Sequence, residues 1–310
     1  MTENTKSTSI EKSCETFDAD LGVNAPSNWS SLLHTALSAV LLAGDAIMDI
    51  YEKDFSIDYK EDNSPLTDAD RSAHQRIVDT LSSTLIPVLS EESTAVPVDV
   101  RQSWGTMWLV DPLDGTKEFI KKNGDFTVNI ALIQHGHPIM GVVYTPVHSD
   151  LFFGVRGWGA FRVTGRQNIE ALLHSDMEAS FCGTPLLVNR DYANGLRIVA
   201  SASHLNRETS DFIDRLKQLG HAIEQVSRGS SLKLCMIAAG EADIYPRLAP
   251  TMEWDTAAAH AVVESAGGNV IVYDEALHAQ FMERGIAALQ DANSLKYNKE
   301  NLLNPSFIVF

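Results

Sequence analysis

Residues Trp108-Leu109-Val110-Asp111-Pro112-Leu113-Asp114-Gly115-Thr116 place two carboxylates three positions apart at the end of an apolar stretch. A strand end delivers its side chains to one fixed point. Pro112 stiffens the turn there, and Gly115 lets the backbone approach a ligand closely. Two acidic groups aimed at one point repel each other, so the pattern asks for a cation between them. Oxygen-only ligands favour a hard ion such as Mg²⁺, which is commonly shared between one or two carboxylates and substrate phosphates. The chemistry expected is metal-assisted reaction at a phosphate. Further acidic residues stand where strands end or helices begin: Asp68 with Asp70, Glu91 with Glu92, and Asp255. Singly, Asp68 and Asp255 read as helix N-caps. Together, in apolar context, the clusters read as one site.

The elements that must position these groups follow from periodicity. Leu32, Leu33, Ala36, Leu37, Val40, Leu41, Ile47 and Met48 recur with helical period and predict a long helix over 28–52. Thr67 or Asp68 caps a second helix, with Ile77, Val78, Leu81 and Leu85 on its inner face. Short strands are expected at 88–89 and 107–110. An antiparallel meander follows over 126–133, 139–144, 151–155 and 160–163. Residues 164–194 read as a loop or excursion. Strands at 196–200, 222–226, 244–247 and 270–273 then alternate with helices at 207–219, 230–239 and 255–266. The fold class is α/β (α+β), a layered sandwich of helices and sheets. Its parts are a disordered tail (1–25), a half carrying the acidic motifs (26–195) and a half that completes the site (196–310), with a cleft between the halves.

Asp111-Pro112-Leu113-Asp114-Gly115-Thr116 and Trp254-Asp255-Thr256-Ala257-Ala258 resemble the two signature motifs of the inositol monophosphatase superfamily. Other stretches resemble its 3'(2'),5'-bisphosphate nucleotidase branch: Asn63 to Asp70, Leu89-Ser90-Glu91-Glu92, Thr116-Lys117-Glu118-Phe119, Gly229 to Lys233, Tyr245-Pro246-Arg247 and Leu303 to Phe307. The resemblance runs from about residue 30 to the C-terminus. It implies an αβαβα sandwich and a Mg²⁺-dependent, lithium-sensitive phosphomonoesterase with two or three ions per site. By the same resemblance Glu91, Asp111, Asp114 and the Leu113 carbonyl are ligands of a first metal. Asp114 and Asp255 are ligands of a second, and Asp70 lies near a third. Two metals roughly 4 Å apart can clamp the attacking and leaving oxygens of an in-line displacement. Thr116 and Asp70 would relay the proton of the attacking water, with Glu91 counted among the catalytic groups. Without the motif, Thr116 reads as a turn hydroxyl and Asp70 as a helix-face carboxylate.

Substrate contacts are implied for Gly115 and Thr116, whose amides can form an anion-binding nest, and for Ser203, His204, Ser230, Lys233, Arg247 and Asp255. Ser230 and Lys233, placed on one helix face, suit a phosphate without its own metal. An exposed surface lysine is a nearly equal reading of Lys233, and the plain reading of His204 is an N-terminal helix neighbour or a packed imidazole. The implied reaction is hydrolysis of adenosine 3',5'-bisphosphate to AMP and phosphate, with 3'-phosphoadenylyl sulfate as a further substrate. Two rivals stay open: an inositol monophosphatase or broad sugar phosphatase, and a noncatalytic nucleotide sensor. Other signals keep a plain reading. His135-Gly136-His137 is a hairpin turn, Trp254 and Cys235 pack, and Gly157-Trp158-Gly159 is no dinucleotide loop.

The 310-residue chain carries a net charge of −17, which argues against nonspecific nucleic-acid binding. Cys14, Cys182 and Cys235 have neither disulfide-framework nor zinc spacing. Residues 1–21 lack the basic-then-apolar order of a signal peptide. The longest apolar run, 36–48, is interrupted by Ser38, Gly44 and Asp45 and is too short to span a membrane. The expectation is a cytoplasmic protein, monomer or homodimer, with a small-molecule nucleotide substrate and no transmembrane segment. Peripheral association with the inner membrane surface is left open.

Overall fold

Apolar side chains at helical spacing drive the first element, α1 (Trp29–Tyr51), whose Leu33, Ala36, Leu37, Val40 and Ile47 are fully buried. By length and composition α1 could cross a membrane; here its apolar face packs on α2 (Asp68–Leu81) and the main sheet. The computed structural model describes residues 27–53, 57–59, 65–93, 95–175, 183–192, 195–200 and 206–310.

Helix α2 begins at a capping box. The Thr67 hydroxyl accepts from the Ala69 amide, and Asp70 reaches back to Thr67. A hairpin of β1 (Ile57–Tyr59) and β2 (Pro65–Thr67) leads into it. The helix ends at Leu81 in a 3-10 turn, and Leu85 lies beyond it with φ 57° and 93% exposure. Leu85 is therefore not on the inner face expected of it, because the helical period stops one turn earlier.

The seven-stranded sheet has the order β3 (Val88–Ser90), β4 (Thr106–Asp114), β5 (Thr127–Gln134), β6 (His137–Thr145), β7 (Asp150–Val155), β8 (Gly159–Thr164), β9 (Thr184–Pro185). The β3–β4 pair is parallel and the rest antiparallel, so the expected meander is present. Positive φ at His135 and Gly136 closes the β5–β6 hairpin as a two-residue turn. Short helices α3 (Val98–Gln102), α4 (Thr116–Ile120) and α5 (Arg166–Leu172) connect strands. Helix α5 corrects the reading of 164–194 as irregular; Ile169 and Leu172 anchor it.

Strands β5 and β6 are buried along nearly their whole length, as a sheet covered on both faces requires. Helices α1 and α2 cover one face. On the other lie α7 (Leu232–Ala238) and α8 (Ala257–Ser265). A second sheet follows, with β14 (Phe307–Val309) between β12 (Tyr245–Arg247) and β13 (Val270–Val272), both antiparallel to it. The parallel pair β10 (Leu196–Val199) and β11 (Ile223–Val226) joins it through the Ile198–Ile244 bridge. Helices α6 (Arg207–Gln218) and α9 (Glu275–Arg284) close the last layer, where Phe212 and Phe281 stack at 4.2 Å. The layers run α, β, α, β, α, as expected.

Candidate active site

A strand with period-two alternation would point Asp111 and Asp114 to opposite faces. The pairing of β4 with β5 shows how they come together: Asp111 faces Asn129 and Asp114 faces Thr127, three steps on one strand against two on the other. The extra residue is a β-bulge at Pro112-Leu113, which returns Asp114 to the side of Asp111. Pro112 thus sits inside β4 at the bulge, where its missing N–H breaks no ladder bond, and not in a turn past the strand end. Glu91 follows β3, and its amide donates to the Val110 carbonyl at 3.1 Å, bringing it beside Asp111. Asp255 arrives just before the Thr256 N-cap of α8.

The four carboxylates act on one another. Burial raises the Asp111 carboxyl well above the ordinary range, and the charges of Glu91, Asp114 and Asp255 raise it further. Burial also raises Asp114, against the lowering influence of Lys233, Ser231 and Asn129. Asp255 is pushed up to about 8 by burial and then by the Asp114 charge. Glu92 belongs elsewhere: its charge acts on His74, which burial depresses and which meets Ser90 Oγ at 2.9 Å.

Each aspartate has one oxygen held by the protein. Asp111 Oδ1 accepts from the Leu113 amide at 3.0 Å. Asp114 Oδ2 accepts from Ser231 N at 2.7 Å and Ser231 Oγ at 3.0 Å. Asp255 Oδ2 accepts from the Met252 amide at 2.9 Å. The second oxygen of each has no donor among the described residues, so each carboxylate keeps one oxygen that a cation could take. This all-oxygen donor set fits a hard divalent ion. Among the described residues no three such side chains close on one point into a complete cage. Mg²⁺ does not need one, since it keeps waters and takes phosphate oxygens.

Asp70 is 3% exposed; its Oδ2 accepts from Thr67 N and Oγ1, and its Oδ1 from Thr116 Oγ1 at 3.3 Å. The same Thr116 hydroxyl lies 3.4 Å from the Leu113 carbonyl. Gly115, at φ +96°, turns the chain into α4; a Cβ there would come 3.3 Å from the Asp125 carbonyl.

Ser230 does not open a helix as expected. It has φ 41°, and α7 begins at Leu232. A non-glycine residue in this conformation is strained, a condition that gathers at functional sites. Lys233 Nζ donates back to the Ser230 carbonyl at 3.2 Å, and burial depresses its ammonium, while Asp114, Glu118 and Asp125 favour the charge. Lys233 is therefore no surface lysine. Arg247 Nη2 donates to the Pro250 carbonyl, but its Nε is buried without a partner among the described residues, a donor left for an anion. Ser203 and His204 lie outside the described residues. Cys235 is buried in the core and the half-buried Trp254 packs against it, as expected.

Two participants escaped sequence reasoning, Ser231 and Asn129. Ser231 stood beside Ser230 in the same motif, whereas Asn129 shows itself only through strand pairing with Asp111.

The sequence matches the Inositol monophosphatase family over residues 28–305. It is 45% identical over 234 residues to the 3'(2'),5'-bisphosphate nucleotidase CysQ of Escherichia coli K12, covering 74% of this chain and 85% of that one. The crystal structure of CysQ from Bacteroides thetaiotaomicron aligns at TM-score 0.73 and 44% identity, covering 91% of this chain and 97% of that one. The fold also matches inositol monophosphatase II from Staphylococcus aureus, at TM-score 0.63 and 20% identity over 90% of this chain and 88% of that one.

Proposed function

The chain belongs to the inositol monophosphatase family, and from that premise we infer that it is a 3'(2'),5'-bisphosphate nucleotidase, a Mg²⁺-dependent phosphomonoesterase that converts adenosine 3',5'-bisphosphate to AMP and phosphate. 3'-Phosphoadenylyl sulfate, with the same 3'-phosphate, is a further substrate. The observation that carries the reading is the set of fixed aspartates, Asp111, Asp114 and Asp255, each with one oxygen committed to protein donors and one without.

Glu91, Asp111, Asp114, Asp255 and the Leu113 carbonyl would hold two Mg²⁺ ions, with Asp70 beside a third. Bound Mg²⁺ supplies neutralising charge to the phosphate and makes the attacking water more acidic. The chain's own part in the proton transfer lies with Thr116 and Asp70. Thr116 Oγ1 can take a proton from the water while passing its own to Asp70 Oδ1, 3.3 Å away. Asp70 is held for this by Thr67 at its other oxygen. Gly115 and Thr116 offer amides at the start of α4 to the phosphate. Lys233 and Arg247, with Ser230 beside Lys233, would make the wall against which the nucleotide and its second phosphate rest; Ser203 and His204 complete the contacts proposed from the sequence.

The test is phosphate release from adenosine 3',5'-bisphosphate with Mg²⁺, with and without Li⁺, beside inositol 1-phosphate and fructose 1,6-bisphosphate. Preferential, Li⁺-suppressed release from the nucleotide is expected. Preference for inositol or sugar phosphate would overturn the substrate, and release from none of them would favour a nucleotide-sensing protein.

A further inference from the structure

We propose that Ser231, oriented by Asn129, is the positioning residue that fixes the spacing between the Asp114 and Asp255 carboxylates, and so the affinity for the cation they would share. The proposal rests on the reading of these aspartates as cation ligands. Ser231 is 1% exposed. Its Oγ lies 2.6 Å from the Asp255 backbone carbonyl, 3.0 Å from Asp114 Oδ2 and 2.9 Å from Asn129 Nδ2. The Asn129 amide nitrogen has only protons to give, so it donates to Oγ. The single proton of Ser231 then faces two acceptors. Asp114 Oδ2 does not depend on it, since it also takes the Ser231 amide at 2.7 Å. The Asp255 carbonyl has no other donor among the described residues. One buried oxygen atom therefore ties the end of β4 to the segment that leads into α8.

That link matters because the two segments belong to different layers. Asp114 follows the bulge of the seven-stranded sheet, and Asp255 precedes a helix packed on that sheet. Ligands of one ion must be held within about half an ångström of productive geometry by groups behind them. Asn129 shows what the arrangement favours. Its Oδ1 is buried with no partner, whereas Nδ2 faces Ser231 and, at 3.5 Å, Asp114 Oδ2. The flipped amide would set a carbonyl oxygen against the carboxylate. The orientation that leaves Oδ1 unpaired is thus selected by the charge on Asp114, and it turns a donor toward Ser231.

The test uses the full chain and Ser231→Ala, with Asn129→Ala as the second variant. Mn²⁺ binding is titrated by electron paramagnetic resonance without substrate, and the unfolding temperature is measured in EDTA. Ser231→Ala is expected to weaken the weaker-bound Mn²⁺ by about 10- to 100-fold, to leave the tighter ion nearly unchanged, and to raise the Mg²⁺ concentration for half-maximal phosphate release in step. Asn129→Ala should move the same ion in the same direction by less. Unchanged Mn²⁺ binding in both variants would overturn the proposal, as would a lower unfolding temperature in EDTA with Mn²⁺ affinity intact. If the wild type binds Mn²⁺ but releases no phosphate from the nucleotide, the substrate reading fails while the titration still decides this proposal.

Discussion

Thr116 illustrates how much a single hydroxyl has to do here. Its oxygen has Asp70 Oδ1 at 3.3 Å and the Leu113 carbonyl at 3.4 Å, both acceptors, so its proton can leave toward a carboxylate. Thr116→Ala should lower kcat by about 10²- to 10⁴-fold, the usual span for a lost proton-transfer group. Thr116→Ser should keep most of the activity, as steady-state phosphate release would report. Asp255 sets a pH prediction. In the folded chain it is pushed up to about 8, above the roughly 3.9 of an unfolded aspartate. A group raised by folding stabilises below its unfolded value, and that contribution is lost as pH rises through the folded one. In EDTA, therefore, this part of the stability should disappear between about pH 4 and pH 8. The rise in unfolding temperature produced by saturating Mg²⁺ should grow over the same window, since a cation needs the ionised form. A Mg²⁺ effect independent of pH would contradict the assignment. At this scale the aspartates were legible because local motifs carry them. Asn129 and Asp114 meet Ser231 across 102 and 117 positions, a separation that a reading of local patterns does not cross.

Elements were legible where periodicity ran long, as in α1 and the meander. They were obscure where a short piece borrows its stability from neighbours. Helix α5 has seven residues and two buried side chains, too little for a pattern. The β4 bulge is invisible without β5, because only the partner strand shows that one residue is extra. The turn after the bulge is stringent. Gly115 sits at φ +96° against the Asp125 carbonyl, so Gly115→Ala adds both backbone strain and a close contact. It should destabilise the fold by about 1–2 kcal/mol, measured by urea unfolding in EDTA. Gly141 tests the next layer. A Cβ there would fall 2.0 Å from the Ala258 carbonyl, so β6 and α8 pack with no room for a methyl group. Gly141→Ala should push α8 outward, costing about 1–3 kcal/mol, and raise the Mg²⁺ requirement because Asp255 leads that helix.

The C-terminal residues bind the whole molecule to its site. Strand β14 is the centre of the second sheet, and the segment before it clamps the Asp255 loop. Asn304, 4% exposed, donates its amide to the Thr251 carbonyl and its side-chain nitrogen to Thr251 Oγ1, the Met252 carbonyl and Thr256 Oγ1. Those residues flank Asp255 on both sides, and Met252 also donates to its carboxylate. Glu253, fully buried, receives Lys299 Nζ at 2.6 Å and the amides of Asn298 and Lys299. The Leu303 to Phe307 motif and the layered class are legible in the sequence, but the motif's task is not, because the partners of Asn304 lie 48 to 53 positions upstream. Asn304→Ala removes the side-chain donor that the Met252 carbonyl and the Thr251 and Thr256 hydroxyls now share. The expected loss is on the order of 2–4 kcal/mol of unfolding free energy in EDTA. The cation site should feel it too, since the loop that aims Asp255 loses its clamp. The Mg²⁺ concentration for half-maximal activity should rise several-fold while KM for the nucleotide, most of whose proposed contacts lie on other segments, changes less. A rise in KM with no change in Mg²⁺ dependence would mean that the clamp serves the substrate wall and not Asp255.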